Sequence, residues 1–422
     1  MTDYTTIKDI ALRPIVNGWD LRPFAELADF KNGLNYSAED IGSGIKLIGI
    51  RDFWDAFSIN YDNLNRVRVS KNIDSSYFLE EGDLLFVRSN GNKALIGRVL
   101  YLNGINGRIT HSGFTIRARI NKQIMLPAFA AYYFTSPLVK KQFHRFGGGT
   151  NISNLTQSLL ENIVLPVPPR EEQVQIVKIL ECWRIGIEKV ICLLKLKRRL
   201  KRGLMQQVLS GRRRFTEFTS RPWQPTSLST FFAEKSIANL DGSVIEVLSC
   251  TKKGILRQVE RFGKRLASIR VNNYKVVHRG DFVYDPMLLW DASMGFVRCV
   301  EKGIVSPAYA TFSFTGNDID RAFCDLLFAS HMMRHQYKVI SQGTNARRRK
   351  ALPVDFLKLA PLMPSTEIER TCVSEIFGVL DREINLLTQQ LAALREQKKG
   401  LMQKLLTGQV RVNVDKARLK EI

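Results

Sequence analysis

Two stretches of this chain space their apolar side chains three and four residues apart over five heptads. The first runs Ile176, Trp183, Val190, Lys197, Leu204 at one seam position and Leu180, Ile187, Leu194, Lys201, Val208 at the other. The second runs Val373, Leu380, Leu387, Leu394, Leu401 beside Phe377, Ile384, Leu391, Lys398, Leu405. Such a pattern predicts two long helices, Arg170 to Leu209 and Thr366 to Leu406, that pair as a coiled coil. Pro168-Pro169 suits a helix start, with Arg170-Glu171-Glu172 placing acids at its positive end. Gly211 and Gly408 are expected stops. At ~1.5 Å per residue each helix would be a rod of about 60 Å. Both seams carry a lysine at the same place, Lys201 and Lys398, where burying a charge is costly; either the helices diverge there or the lysine faces a partner.

The regions before the helices read differently. Short β-rich runs (Ile45 to Ile50, Leu84 to Val87, Gly113 to Arg117) alternate with turn signals and precede one helix-like stretch, Pro127 to Phe143. Later, Asp281 to Tyr284 and Ala308 to Phe314 precede a helix near Ala322 to Val339. The expected fold class is α/β (α+β) domains, duplicated and separated by two long helices in an antiparallel coiled coil with a pseudo-two-fold. The boundaries follow as 1–164 and 212–361 for the two domains, 165–211 and 362–408 for the helices, and 409–422 for a tail.

Duplication is written into the residues. Lys201-Arg-Gly203-Leu204-Met205-Gln206-Gln-Val-Leu209-Ser-Gly211 returns as Lys398-Lys-Gly400-Leu401-Met402-Gln403-Lys-Leu-Leu406-Thr-Gly408, a shift of 197 from Gly203 to Gly400. Gly82-Asp83 matches Gly280-Asp281. Ala128-Phe129, Phe134, Ser136, Gln142 and Gly149-Thr150-Asn151 match Ala322-Phe323, Phe328, Ser330, Gln336 and Gly343-Thr344-Asn345 in the same order. One fold carrying two different surfaces would echo in this way. An approximate two-fold across the rods would pair them antiparallel and hold one domain at each end, as the dyads of duplex DNA allow.

Charge narrows the partner. With 63 Lys and Arg against 40 acids, the formal net charge is +23, an excess that suits a polyanion, because each cation placed at a phosphate releases condensed counterions. No apolar run approaches the roughly 18 residues of a membrane span, and Met1-Thr-Asp-Tyr lacks the basic start and apolar core of a signal peptide. A cytoplasmic protein with no membrane partner is expected. The six cysteines form no CxxC pair and read as free, mostly buried thiols.

Polar, basic loops supply the side chains that base reading needs, since Arg and Lys reach phosphates or guanine and Asn pairs with adenine. The candidates for DNA contact are Arg51, Arg88, Ser89, Asn90, Asn92, Lys93, Thr150 and Asn151 in the first half. In the second they are Lys252, Lys253, Thr344, Asn345, Arg347, Arg348, Arg349 and Lys350. The basic run from Lys195 to Arg214, nine cations without an acid, is expected to serve DNA backbone or an acidic partner.

Pro-Pro-Arg-Glu-Glu-Gln173 heading a heptad helix and Lys-x-Gly-Leu-Met-Gln-x-x-Leu-x-Gly closing it, the whole duplicated around Gly-Asp and Gly-Thr-Asn, resembles a specificity subunit of type I restriction-modification systems over essentially the full chain. The resemblance implies two target recognition domains that read the halves of a split, asymmetric site on double-stranded DNA. It implies helices that set the spacer and dock two modification subunits, which carry an S-adenosylmethionine-dependent adenine methyltransferase. Two restriction subunits, ATP-driven translocases and nucleases using Mg, would complete the assembly. This chain would then bind no cofactor or metal and catalyse nothing. Its coiled-coil and partner interface would be Ile176, Leu180, Trp183, Ile187, Leu194, Leu204, Met205 and Gln206 with Val373, Phe377, Leu380, Ile384, Leu391, Leu401, Met402 and Gln403. The copies differ at the helix starts, where Glu172-Gln173 becomes Glu369-Arg370. The other expectation to weigh is a stand-alone DNA-binding or regulatory protein of the same architecture.

Fragments of catalytic motifs do not add up to an enzyme. Asp285-Pro286-Met287-Leu288 lacks the second proline and aromatic of an amino-methyltransferase, and no Gly-rich cofactor loop accompanies it. Gly147-Gly-Gly149 lacks the Lys-Ser/Thr of a phosphate loop. His331 and His335 have metal-like spacing without an evident third ligand and read as surface histidines. Glu396-Gln-Lys398 lies in a heptad helix without a partnering aspartate strand.

Overall fold

A computed structural model describes residues 18–69, 73–146, 154–262, 271–343 and 349–413. The candidates Thr150, Asn151, Thr344, Asn345, Arg347 and Arg348 lie outside the described residues. The chain forms two compact units, Met1–Ile191 with Gln389–Ile422, and Cys192–Thr388. Each unit therefore holds one α/β region together with part of both long helices.

The first unit contains β1 (Asp20–Pro23), β2 (Ala28–Asn32), β3 (Ile41–Ile48), β4 (Asn65–Val67), β5 (Leu84–Val87), β6 (Val99–Tyr101), β7 (Ile109–His111), β8 (Thr115–Ile120), α1 (Pro127–Thr135), α2 (Pro137–Phe146), α3 (Gln157–Glu161) and β9 (Val164–Val167), then the start of α4 (Arg170–Val208). The second contains β10 (Gln224–Pro225), β11 (Phe232–Glu234), β12 (Leu248–Thr251), β13 (Gly254–Arg257), α5 (Gln258–Phe262), β14 (Lys275–His278), β15 (Phe282–Tyr284), β16 (Met294–Phe296), β17 (Lys302–Val305), β18 (Ala310–Phe314), α6 (Asp318–Ala329), α7 (His331–Ile340), α8 (Pro353–Leu357), β19 (Leu362–Met363) and the start of α9 (Glu367–Leu406).

The duplication seen in the residues is a duplication of topology. An antiparallel sheet ordered β2-β8-β5-β6 in the first unit answers one ordered β11-β18-β15-β16 in the second. The small pairs β1-β9 and β10-β19 close each α/β region just before its helix. The central strand is apolar at successive positions because both of its faces are covered. Leu84 and Phe86 enter one core, Leu85 and Val87 another; Phe282 and Tyr284 enter one, Val283 another.

Gly82 and Gly280 adopt φ +92° and +90°, a region that favours glycine, and turn the chain so that the following aspartate is buried. Asp83 accepts the Glu80 N–H at 2.8 Å and two Arg119 N–H groups at 2.9 Å. Asp281 accepts the His278 N–H at 2.8 Å and Lys235 Nζ at 2.6 Å. The Gly-Asp echo is structural.

The single helix expected at Pro127 to Phe143 is two helices. Ser136 is extended (ψ 156°), because Pro137 has no N–H to continue α1 and disfavours helical backbone before it. The second copy breaks at the same register without a proline: Ser330 is extended and its hydroxyl caps α7 by accepting the Met333 N–H. The thiols also differ from expectation, since Cys182 and Cys192 are exposed and only Cys250 and Cys324 are buried.

Every seam position of both helices is buried or half-buried, while Lys178, Arg199, Glu375 and Lys399 between them are exposed. Within the second unit the segments run antiparallel, with Lys197 on Glu383 at 2.7 Å and Lys201 on Asp381 at 2.5 Å. Within the first, Ile176 and Leu180 of α4 share a core with Met402, Leu405 and Leu406 of α9. Gly211 and Gly408 both take φ +70° at the helix ends.

Candidate nucleic-acid interface

In the first unit three segments meet at one end of the four-stranded sheet. The Arg88 N–H donates to Phe114 O at 2.8 Å, and the Leu155 N–H, just beyond the Gly-Thr-Asn segment, donates to Arg88 O at 2.7 Å. The β7–β8 turn in turn receives the strand after β2: the Gly113 N–H donates to Leu34 O at 2.6 Å and the Leu34 N–H to His111 O at 2.8 Å. Gly33 permits this approach, because a Cβ there would lie 2.2 Å from Ser112 O.

The asparagines of this tip are partly committed to its own shape. Asn90 Oδ1 accepts the Asn92 N–H at 2.7 Å, and Asn92 Oδ1 accepts the Ala94 N–H at 3.1 Å, capping the short turn that carries Lys93. Arg88, Ser89 and Asn90 are half-buried, whereas Asn92 and Lys93 are exposed. Arg51 is exposed in a separate turn and donates to Asn63 O at 3.3 Å. Two exposed aromatics escaped the sequence reading: Phe114, 57% exposed at the tip, and Trp54, 63% exposed near Arg51. A lone aromatic in a turn has no periodicity to mark it. Beneath the tip His111 is buried; its Nδ1 lies 2.9 Å from Thr115 Oγ1, and desolvation pushes its pKa down to about 3.

The second unit repeats the central bond with other residues. The Ala351 N–H donates to Pro286 O at 2.9 Å, so the turn from Asp285 to Asp291 occupies the place of the Arg88 loop. The Asp-Pro-Met-Leu fragment is thus a turn, in which Asp285 Oδ1 accepts the Met287 N–H at 2.9 Å, and burial raises the Asp285 pKa. Lys252 reaches this turn through Asp291 at 2.7 Å. Lys253 is exposed in the β12–β13 turn. Gln342 and Lys350 exchange reciprocal backbone bonds at 3.1 and 2.8 Å. Arg349 beside Lys350 is half-buried, and its Nε finds no acceptor among the described residues.

Along the helices, Lys201 is held by Asp381. Lys398 stands 5.5 Å from the Tyr132 ring, its pKa lowered first by burial and then by Arg184. Neither lysine requires an outside partner or a divergence of the helices. The run from Lys195 to Arg214 is likewise not a uniform stripe, since Lys197, Lys201 and Arg214 all meet carboxylates. Met205 is half-buried and Met402 buried, whereas Gln206 and Gln403 are exposed.

The helix starts are tied down by a repeated cluster that pattern alone did not reveal. Glu172 accepts Trp19 Nε1 at 3.2 Å and Arg411 Nε at 2.8 Å. Glu369 accepts Trp223 Nε1 at 2.9 Å and Arg214 Nε and Nη2 at 2.9 and 2.8 Å. The neighbours differ as the residues do. Gln173 bonds Leu126 N–H, Ile124 O and Pro168 O, whereas Arg370 bonds Asp320 at 2.7 Å and Pro364 O.

A family model described as "Type I restriction modification DNA specificity domain" matches residues 17–189, the first recognition region and the first half of α4. Over that stretch the chain is similar to type I restriction-modification specificity subunits. It is 24% identical over 308 residues, 67% of this chain and 70% of the relative, to the "Type I restriction enzyme MjaVIII specificity subunit" of Methanocaldococcus jannaschii. It is 25% identical over 161 residues, 37% of this chain and 33% of the relative, to the EcoKI specificity subunit of Escherichia coli. In fold it is similar to the type I S subunit from M. genitalium (TM-score 0.52, 15% identity, 93% of this chain and 97% of that one). It is also similar to the HsdS subunit from Thermoanaerobacter tengcongensis (TM-score 0.52, 15% identity, 94% and 100%). Among the described residues no helix is long and apolar enough to cross a membrane.

Proposed function

We propose that this chain directs a type I modification complex to a bipartite DNA site, each unit reading one half, with no catalysis of its own. The observation that carries the proposal is the loop held by the same backbone bond twice, Leu155 to Arg88 and Ala351 to Pro286, while its side chains differ completely. One scaffold presenting two different polar surfaces suits the reading of two different base sequences. The helices Arg170–Val208 and Glu367–Leu406 would set the spacer, at ~1.5 Å per residue. Gln206 and Gln403, exposed on the repeated Gly-Leu-Met-Gln segments, would meet the two modification subunits. S-adenosylmethionine, ATP and Mg would belong to the modification and restriction subunits.

Long-read sequencing of adenine methylation tests this in cells carrying the modification subunit with and without this chain. A split motif with a fixed gap should appear only with the chain, and replacing Arg88 and Lys93 by alanine should relax one half of it. No chain-dependent motif with an active modification subunit would favour a stand-alone DNA-binding protein; loss of both halves together would overturn the two-reader assignment.

A further inference from the structure

We infer that the exposed face of α7 in the second unit is a DNA-phosphate groove, separate from the loops that read bases. The inference rests on the DNA-recognition reading and deepens it. A cleft of about 290 Å³ is lined by Trp290, Asp291, His331, Arg334, His335 and Lys338. A second, of about 540 Å³, shares His331 and Arg334 and continues to Arg202 of α4. The two clefts make one continuous groove from the Asp285–Asp291 turn to the helix.

Its charge is one-sided. His331 and His335, like Arg334 and Lys338, stand four residues apart and share a helix face. The like charges of Arg334 and Lys338 so placed repel unless something offsets them. The acid in the first cleft, Asp291, is already engaged by Lys252. Arg334 and Lys338 make no ion pair among the described residues and are exposed. Two of these positions are basic in the first unit as well: with Gln142 matched to Gln336, exposed Lys140 and Lys141 stand where Arg334 and His335 do. Cations on an exposed helix face, beside an acid already engaged by another lysine, suit a ligand that supplies the negative charge. The Trp290 indole, fixed by its Nε1–H on Met287 O at 3.0 Å, forms a rigid wall rather than a second charge. A groove with this chemistry fits backbone phosphates, which accept from guanidinium and ammonium groups whatever the base.

The test uses the assembled complex with its modification subunit and a labelled duplex carrying the methylation motif. Affinity is measured by fluorescence anisotropy between 50 and 200 mM salt for the wild type and for Arg334→Ala with Lys338→Ala. Each lost phosphate contact lowers the slope of log affinity against log salt by about one. The double variant should therefore lose about two, with its preference for the cognate half-site over a base-changed one intact. An unchanged slope, or weakened binding of the modification subunit instead, would overturn the groove. Failure of the wild-type complex to bind the duplex would instead overturn the functional reading. Because both side chains are exposed, an unchanged thermal midpoint is the folding control, and Arg334→Gln with Lys338→Gln provides a second pair that keeps the stems.

Discussion

Replacing Glu369 by alanine should destabilise the second unit far more than the matching change at Glu172 destabilises the first. Glu369 is 2% exposed and its partner Arg214 has a side chain only 11% exposed. Removing the carboxylate strands a largely buried guanidinium without two of its hydrogen bonds, and leaves the Trp223 N–H without an acceptor. Breaking a buried pair in this way costs about 3–5 kcal/mol. Around Glu172 the same three residue types meet, but the Arg411 side chain is 42% exposed. It can be rehydrated, so its share falls to about 1 kcal/mol or less. The buried Trp19 N–H adds about 1–3 kcal/mol when left unsatisfied, which puts Glu172→Ala near 2–3 kcal/mol. Two-state unfolding cannot be assumed for a chain of two units. The assay is therefore hydrogen exchange with mass spectrometry in increasing urea, following peptides of each unit separately. Equal losses in the two variants, or a loss below about 1 kcal/mol for Glu369→Ala, would refute the argument that burial of the arginine decides the magnitude.

Other outcomes follow from the same structure. His111 is held neutral in the folded state with its pKa near 3, below the ordinary value of about 6.5, so its contribution is present above pH 6.5 and lost as pH falls toward 3. The size is up to about 5 kcal/mol; His111→Asn should flatten the acid limb of first-unit stability measured by urea midpoint from pH 7 to 4. Gly211→Ala and Gly408→Ala, each forcing a Cβ into φ +70°, should cost roughly 1–2 kcal/mol apiece in the same exchange assay. Gly33→Ala places a methyl 2.2 Å from Ser112 O and should displace the Phe114 turn. Methylation sequencing should then show the first half-site relaxed and the second unchanged; an unaltered motif would show that the turn is not part of the reader.

The sequence by itself determined the repeat, the paired helices and the excess of positive charge. A heptad seam is a local periodicity, and burying it is the same problem wherever the helix sits, so Ile176, Leu180, Val373 and Phe377 could be identified as buried without coordinates. The glycine stops were legible for a similar reason, since a positive φ leaves few choices of residue. Charge excess needs no geometry at all. What only the tertiary structure decided were the meetings between residues distant in the chain. Glu369 finds Arg214 and Trp223 across some 150 residues, and Lys201 finds Asp381 across 180. The Asp285 turn takes the place of the Arg88 loop although they share no residue pattern, because the backbone bond that holds each carries no side-chain signature. Phe114 and the α7 groove were hidden for the complementary reason. Their meaning lies in exposure, and exposure of a single aromatic or a cation is set by what the rest of the fold fails to cover.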